Sequence, residues 1–341
     1  MVNPPVSLKE YLTEKSSIMK KLIFSALMLA AAFTNLKAQQ DPAYSMYMFN
    51  GLFINPAYAG SKEVLNVMGI VRDQWVGIQG APTTASIAVS SPLRQDQYAL
   101  GMVITDDKIG LSNTVSVTPS FSYRLRIKQS RLCFGVQASF SYYNQDNTNA
   151  ELVATQADPV YAGNQNLFVP NFGFGIYAYG RRYFIGVSAP HLLPSSLANK
   201  TELVIGNSPE AKMYNAYVFS AGYVFGKDPA IVKFRPTIML KWQQGLPENI
   251  PQIDISPALL FIDRVWLGVT YRTGGDYSYI GQAIIPFMQV KVTPQLEIGY
   301  SYDAELSALR HFTSGTHELM IGYDFWYDKK RFVTPRYVKY F

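Results

Sequence analysis

The chain alternates apolar and polar residues with a period of two, in runs too long for an ordinary sheet. In 114–127, Val115, Val117, Pro119, Phe121, Tyr123, Leu125 and Ile127 share one face, and Thr114, Ser116, Thr118, Ser120, Ser122, Arg124 and Arg126 the other. The stretches 132–142, 295–303 and 318–325 repeat the pattern. Such alternation is that of strands with one apolar and one polar face. Fourteen segments are predicted as strands: 64–73, 83–91, 97–106, 113–127, 131–143, 171–179, 182–190, 213–225, 231–242, 251–262, 264–273, 278–292, 294–303 and 316–326. Most run nine to thirteen residues. Strands of soluble domains cluster near 5–6 residues, whereas a tilted membrane strand needs roughly 9–11. The polar faces carry Gly, Ser, Thr, Gln and Arg, which suits a wet lumen. Tyr98, Tyr142, Tyr183, Tyr271, Trp242 and Trp326 near strand ends fit interfacial aromatic girdles.

The connections supply an independent test. Those after even-numbered segments are short, such as 128–130, 180–181 and Asp263. Five of the odd ones are longer (74–82, 144–170, 191–212, 243–250 and 304–315), and the third and eleventh are intermediate. Outer-membrane barrels have short periplasmic turns and longer outer loops in this alternation. The expected fold is therefore all-β: an antiparallel up-and-down transmembrane β-barrel of about fourteen strands. A β-sandwich or propeller would bury the apolar face instead. The first, second and eighth segments fit the barrel pattern least well, the eighth (213–225) being apolar on both faces.

The start of the chain reads as an address. From Met19 it runs Met-Lys-Lys, then twelve apolar residues at 22–33, then a small residue, Ala38. This is the layout of a cleaved signal peptide. Twelve residues make a helix of about 18 Å, short of the ~30 Å hydrocarbon core. Residues 1–18 read as an over-extended start, and the mature chain is expected to begin at Gln39. The formal charge of +6 then shrinks, because 1–38 hold five Lys and two Glu; 25 basic and 22 acidic residues remain. That balance gives no clustered basic face, so no nucleic-acid partner is expected.

Two segments stand out as partner-binding candidates. QQDPAYSMYMFNGLFINPAYAG, at 39–60, precedes the first strand and is too apolar for a free tail. Tyr44, Tyr47, Phe49, Asn55, Pro56 and Tyr58 are its candidates, either as a plug packed in the lumen or as a docking element for a periplasmic partner. RDQWVGIQGAPTT, from 72, is expected to form the first outer loop. There Gly77, Gly80 and Pro82 set turns, and Arg72, Gln74 and Trp75 form either a recognition surface or a loop folded back on the lumen. The division expected is a leader at 1–38, a periplasmic or plug segment at 39–62, a barrel at 63–327 and a periplasmic tail at 328–341.

Chemistry finds little material. One cysteine (Cys133) rules out a disulfide framework and a Cys-based zinc site. Three histidines (His191, His311, His317) lie in or beside outer loops, and no GxSxG motif or phosphate-cradling Gly-rich loop is present. No catalytic set, cofactor or metal is expected. Arg124, Arg126, Lys233, Arg235 and Lys241 would bring positive charge to the lumen, favouring anions or pairing with Glu297, Asp303, Glu318 and Asp324.

QQDPAYSMYMFNGLFINPAYAG (39–60), RDQWVGIQGAPTT with the following SPL (91–93), GVSAPHLL (186–193) and GTHELMIGYDF (315–325) together resemble the PorP/SprF outer-membrane proteins of Bacteroidetes, linked to type IX secretion. Gly51 stands where that pattern suggests Pro. The resemblance implies a non-enzymatic outer-membrane barrel, with lipid around it, that assists export or surface retention of a large exported protein such as a gliding adhesin, in contact with the secretion machinery. A fourteen-stranded barrel is narrower than the 16–18-stranded ones that leave an aqueous channel, so it reads as a partner or anchor beside a larger translocon. The competing reading is a channel or transporter for small, including hydrophobic, molecules.

Overall fold

The computed structural model describes residues 42–93, 97–145, 165–193, 195–196, 212–213, 215–227, 230–243, 251–274 and 281–325. The expected leader, the tail and Trp326 lie outside them. The barrel strands are β1 Leu65–Asp73, β2 Thr83–Pro92, β3 Tyr98–Ile109, β4 Ser112–Ile127, β5 Ser130–Gln145, β6 Gln165–Tyr179, β7 Tyr183–His191, β8 Ala216–Tyr223, β9 Val232–Gln243, β10 Gln252–Phe261, β11 Val265–Thr273, β12 Ala283–Lys291, β13 Leu296–Glu305 and β14 Thr316–Phe325, and Ser195–Ser196 pairs with Lys212–Met213 in a separate two-stranded sheet. Each pairs antiparallel with its neighbours in sequence, and β1 closes on β14, with Leu65 opposite Phe325 and Asp73 opposite His317. Closure leaves no edge along the ring, which is the condition for sheet to span lipid.

The greasy face points outward, as the alternation requires of a membrane barrel. Along β4, Val115, Phe121, Tyr123 and Leu125 are exposed while Ser120, Ser122 and Arg124 are buried. The described girdle residues Tyr98, Tyr142, Tyr183, Tyr271 and Trp242 all lie on the exposed exterior. A two-sheet sandwich is excluded, because the ring of pairings is continuous.

Two features depart from expectation. The third connection is a tight turn at Gly110-Leu111, because β3 and β4 zip three and one residues further than the pattern suggests; Gly110 takes the left-handed backbone (φ +57°) the turn needs. Nor is the lumen polar all round, as the strand patterns imply: Ser86, Ser90, Ser120 and Ser122 keep polar faces on β2 and β4, but another part of the wall is apolar. Met68, Ile70, Val218, Met239, Leu260, Trp266, Phe287 and Met320 point inward and form a buried cluster with Met46, Tyr47, Met48 and Phe49. This accounts for the doubly apolar eighth segment: Tyr217 faces lipid, and Val218 meets apolar side chains inside.

Candidate functional site

The N-terminal segment lies inside the cylinder. Its fold follows from short sequence signals. The Asn50 side chain accepts from the Leu52 amide (3.0 Å) and the Asn55 side chain from the Ala57 amide (2.9 Å), each capping a one-turn 3₁₀ helix, Gly51–Phe53 and Pro56–Tyr58. Pro56 occupies the first helical position, where its missing N–H costs nothing. These turns compact the segment into a strap that enters β1 through a turn at Gly60, with φ +73°.

The strap runs the height of the barrel. Near the outer end, Glu318 of β14 accepts from the backbone amides of Ser45 (2.8 Å) and Met46 (2.7 Å). Ser45 Oγ donates to Asp303 (2.9 Å) and accepts from Arg72 Nη1 (2.8 Å). Arg72 also pairs with Asp303 (2.7 Å) and Glu318 (3.1 Å), and Arg272 pairs with Asp254 (2.8 Å) and lies 3.8 Å from Asp303. All five charged side chains are at most 4% exposed. Tyr44 bonds to Ser86 of β2 at 2.7 Å. At mid-height, Asn55 Nδ2 donates to the carbonyls of Ile176 (3.1 Å) and Val187 (3.3 Å), bridging β6 and β7. At the inner end, Lys62 pairs with Glu297 (2.8 Å), and Glu63 accepts from Arg131 (2.9 Å).

The wall is shaped to receive this strap. Gly135 on β5 faces Ala57 so closely that a Cβ there would lie 2.2 Å from the Ala57 nitrogen. Gly51, where the family pattern suggests Pro, sits under the Tyr58 ring, 2.6 Å from where its Cβ would be. Beside the strap remains a cavity of about 10 Å³ touching Tyr47, Asn55, Tyr58 and Ser220, room for roughly one water.

Tyr44, Tyr47, Phe49, Asn55, Pro56 and Tyr58 thus come together, all buried in the lumen. Arg72 belongs to β1 and points inward, apart from the loop beyond it. Gln74, Trp75, Gly77 and Pro82 lie in an ordered outer cap. There Val76 and Ser314 amides donate to the carbonyls of Gly315 and Val76, at 2.9 and 2.7 Å, and the Gly110 amide donates to the Gly80 carbonyl, at 2.9 Å. Trp75, in the left-handed region at φ +51°, donates its indole N–H to Glu305 at 3.0 Å. Trp75→Ala is expected to release this cap, raising proteolysis within 74–82 and 306–315 at a stability cost of about 1–2 kcal/mol while the barrel stays heat-modifiable on gels.

The expected luminal charge pairing takes other partners. Arg124 donates to Tyr179 (2.8 Å), Lys233 pairs with Asp263, and Arg235 stacks over Trp266 (4.0 Å) and Phe49 (4.9 Å). Arg126 stands exposed at the inner rim. The acids Glu297, Asp303 and Glu318 are met instead by Lys62, Arg72 and the strap backbone. Ser45, Asp254 and Arg272 are not singled out by the sequence patterns. The signal that could have found Asp254 and Arg272 is an ionisable residue on the inward face near a strand's outer end; Ser45, in the strap, carries no such signal. The histidines sit apart: His317 on the exterior against Tyr300 (2.7 Å), His311 in the cap and His191 at the end of β7.

Fold and lumen together define a strap-filled outer-membrane β-barrel. Residues 36–323 match the family described as type IX secretion system membrane protein PorP/SprF. The chain belongs to that family: it is an outer-membrane protein associated with type IX secretion. No curated protein matches it. Solved structures with a similar fold include the outer membrane protein Omp33 of Acinetobacter baumannii (13% identity, TM-score 0.42, 77% of this chain and 98% of that one). A Pseudomonas aeruginosa FadL homologue is also similar (13%, 0.42, 85% and 96%), as is the NanC porin (11%, 0.39, 77% and 100%).

Proposed function

We propose that this barrel is a non-enzymatic partner of the secretion machinery that holds one large exported protein, such as a gliding adhesin, during export or at the cell surface. The observation that carries the reading is the filled lumen. Among the described residues, a strap bonded to the wall from Glu318 near the outer end to Glu297 near the inner end occupies the lumen along its height. The barrel then works through its surfaces, with Gln74, Trp75, Gly77 and Pro82 of the outer cap offered to the exported protein. The buried strap candidates act by fixing the shape of the barrel, and of the expected segment 39–62 the described residues 42–62 serve as its plug. The same filled lumen speaks against a passive channel or small-molecule transporter.

Two measurements test this together. A deletion strain is expected to lose one specific surface protein while nutrient uptake is unchanged. The purified full chain is expected to give no stable conductance in planar bilayers. Steady conductance with normal surface display would overturn the proposal in favour of the channel.

A further inference from the structure

The two ends of the barrel present different charge. Among the described residues, the exposed charged side chains at the inner end are Arg126, Lys128, Arg181, Lys227 and Arg264, with no acid beside them. At the outer end they balance, Asp73 and Asp106 against Lys108 and Arg310. The inner acids are held below the surface. Glu63 accepts from Arg131 (2.9 Å), Glu297 pairs with Lys62 (2.8 Å), Asp263 pairs with Lys233, and Asp324 accepts from Asn66 Nδ2 (2.7 Å). The face the inner end presents is therefore positive.

The cations are spread around the ring. Arg126 and Lys128 stand at the β4–β5 turn, Arg181 at β6–β7, Lys227 at β8–β9 and Arg264 at β10–β11, four successive inner turns. Half-buried Lys291, closing β12, carries the series to the next turn. Each exposed cation lies one or two residues from an exposed apolar or aromatic side chain. Arg126 and Lys128 flank Ile127, Arg181 stands two residues from Tyr183, Lys227 two from Phe225 and Arg264 two from Ile262. One or two residues are roughly 3–7 Å of strand. The cations thus sit at the foot of the lipid-facing wall, at the level of the headgroups, where aromatic and basic side chains anchor membrane proteins.

One turn shows that this level is not plain water. The Ile262 amide donates to the Ile231 carbonyl (2.7 Å), and the two side chains are 71% and 75% exposed. Ile262 and Asp263, at φ +52° and +53°, are the central residues of a turn closed by the Arg264 amide on the Phe261 carbonyl (2.9 Å). Such positions favour Asn, Asp and Gly, and a branched side chain rarely takes this conformation. Turn chemistry does not select isoleucine here, whereas an interface that buries apolar tips beside cations does.

We infer that the inner rim from β4 to β12 binds the headgroups of anionic phospholipids in the surrounding inner leaflet. Cations set one or two to a turn, around more than half the ring and against the lipid-facing wall, match separate headgroups in a leaflet. An acidic protein would be met by cations gathered in one sector. Each cation at an anionic membrane surface is worth about fivefold in affinity, falling off within a Debye length.

Native mass spectrometry of the purified full chain tests this, with equal amounts of phosphatidylglycerol and phosphatidylethanolamine in the micelles. The chain is expected to retain the anionic lipid over the zwitterionic one on the order of tenfold, the pull of one or two cations on a headgroup. Concentrated salt is expected to erase most of that preference. Lys227→Gln with Arg264→Gln is expected to lower it at least threefold. Lys108→Gln with Arg310→Gln removes the same charge from the outer end and is expected to leave it unchanged. All four side chains are exposed, and heat-modifiable mobility checks that each pair assembles. If the inner pair does not assemble, Arg264→Gln alone is set against Lys108→Gln alone. An unchanged preference in the inner variant, an equal fall in the outer one, or no preference in the wild type overturns the inference. A wild type that ignores lipid charge yet captures polyglutamate overturns it in favour of an acidic protein partner.

Discussion

Deleting residues 42–61, or pushing them out with Gly135→Leu, is expected to turn a silent barrel into a conducting one. The strap packs inside the wild-type lumen from Ser45 to Lys62, so on the function proposed above bilayer recordings should show only baseline leak. Fourteen strands enclose more than the eight-stranded barrels that side chains fill and less than the 16–18-stranded ones with an aqueous channel. Removing the strap from such a cylinder should raise current by on the order of tenfold or more over that leak. Gly135→Leu reaches the same end by a steric route. Its Cβ alone would meet the backbone of Ala57 at 2.2 Å, and backbone cannot swing aside as a side chain can. The larger side chain must displace the strap or distort β5. Heat-modifiable mobility separates the two, since a distorted wall loses it and a merely emptied barrel keeps it. A deletion barrel that assembles and stays silent would mean that other parts of the chain close the lumen, and the strap would lose its assigned role.

The wall of this protein is legible in the sequence because a membrane barrel obeys two rules visible in one dimension. Strand faces alternate, and loop lengths alternate. Both survive without knowledge of partners, so most barrel strands fall within three residues of their expected spans; β6 begins six residues early at Gln165 and β12 five residues late at Ala283. The lumen obeys no such rule. Lipid selects apolar residues uniformly on the outside, but the inside answers to whatever fills it. Trp266 and Phe287 look like ordinary strand residues until Phe49 and Arg235 are seen against them. Arg72 falls inside the expected strand 64–73, yet it also opens the motif Arg-Asp-Gln-Trp that reads with the loop. Its inward direction follows only from counting parity back from β1's partner, with Arg72 opposite Glu318. The caps at Asn50 and Asn55 are readable in principle. They are easily passed over, because an apolar segment beside a barrel suggests packing before it suggests turns.

Arg72→Met is expected to cost the barrel about 3–5 kcal/mol, the largest single-residue loss among the polar contacts of the lumen. The arginine meets Asp303 at 2.7 Å, Glu318 at 3.1 Å and Ser45 at 2.8 Å, all buried. Its removal leaves two carboxylates facing each other, with Arg272 near only Asp303. Methionine fills much of the space, so the loss is one of charge more than of volume. Glu318→Gln should cost less, about 1.5–3 kcal/mol, because the amide oxygen still accepts one strap amide while the charge-assisted character is gone. The double variant should fall short of the sum, since a neutral amide in place of the Glu318 carboxylate no longer confronts Asp303 with a second unpaired charge. Urea midpoints of the refolded barrel in lipid measure all three, and a loss below about 1 kcal/mol for Arg72→Met would reduce the cluster to the weight of a surface ion pair. The position of the cluster adds a second readout. It grips the strap near the outer end, while Lys62–Glu297 and Glu63–Arg131 hold the inner end. Arg72→Met should therefore free one end of the strap only, giving brief flickering openings in the bilayer where the strap deletion gives steady current.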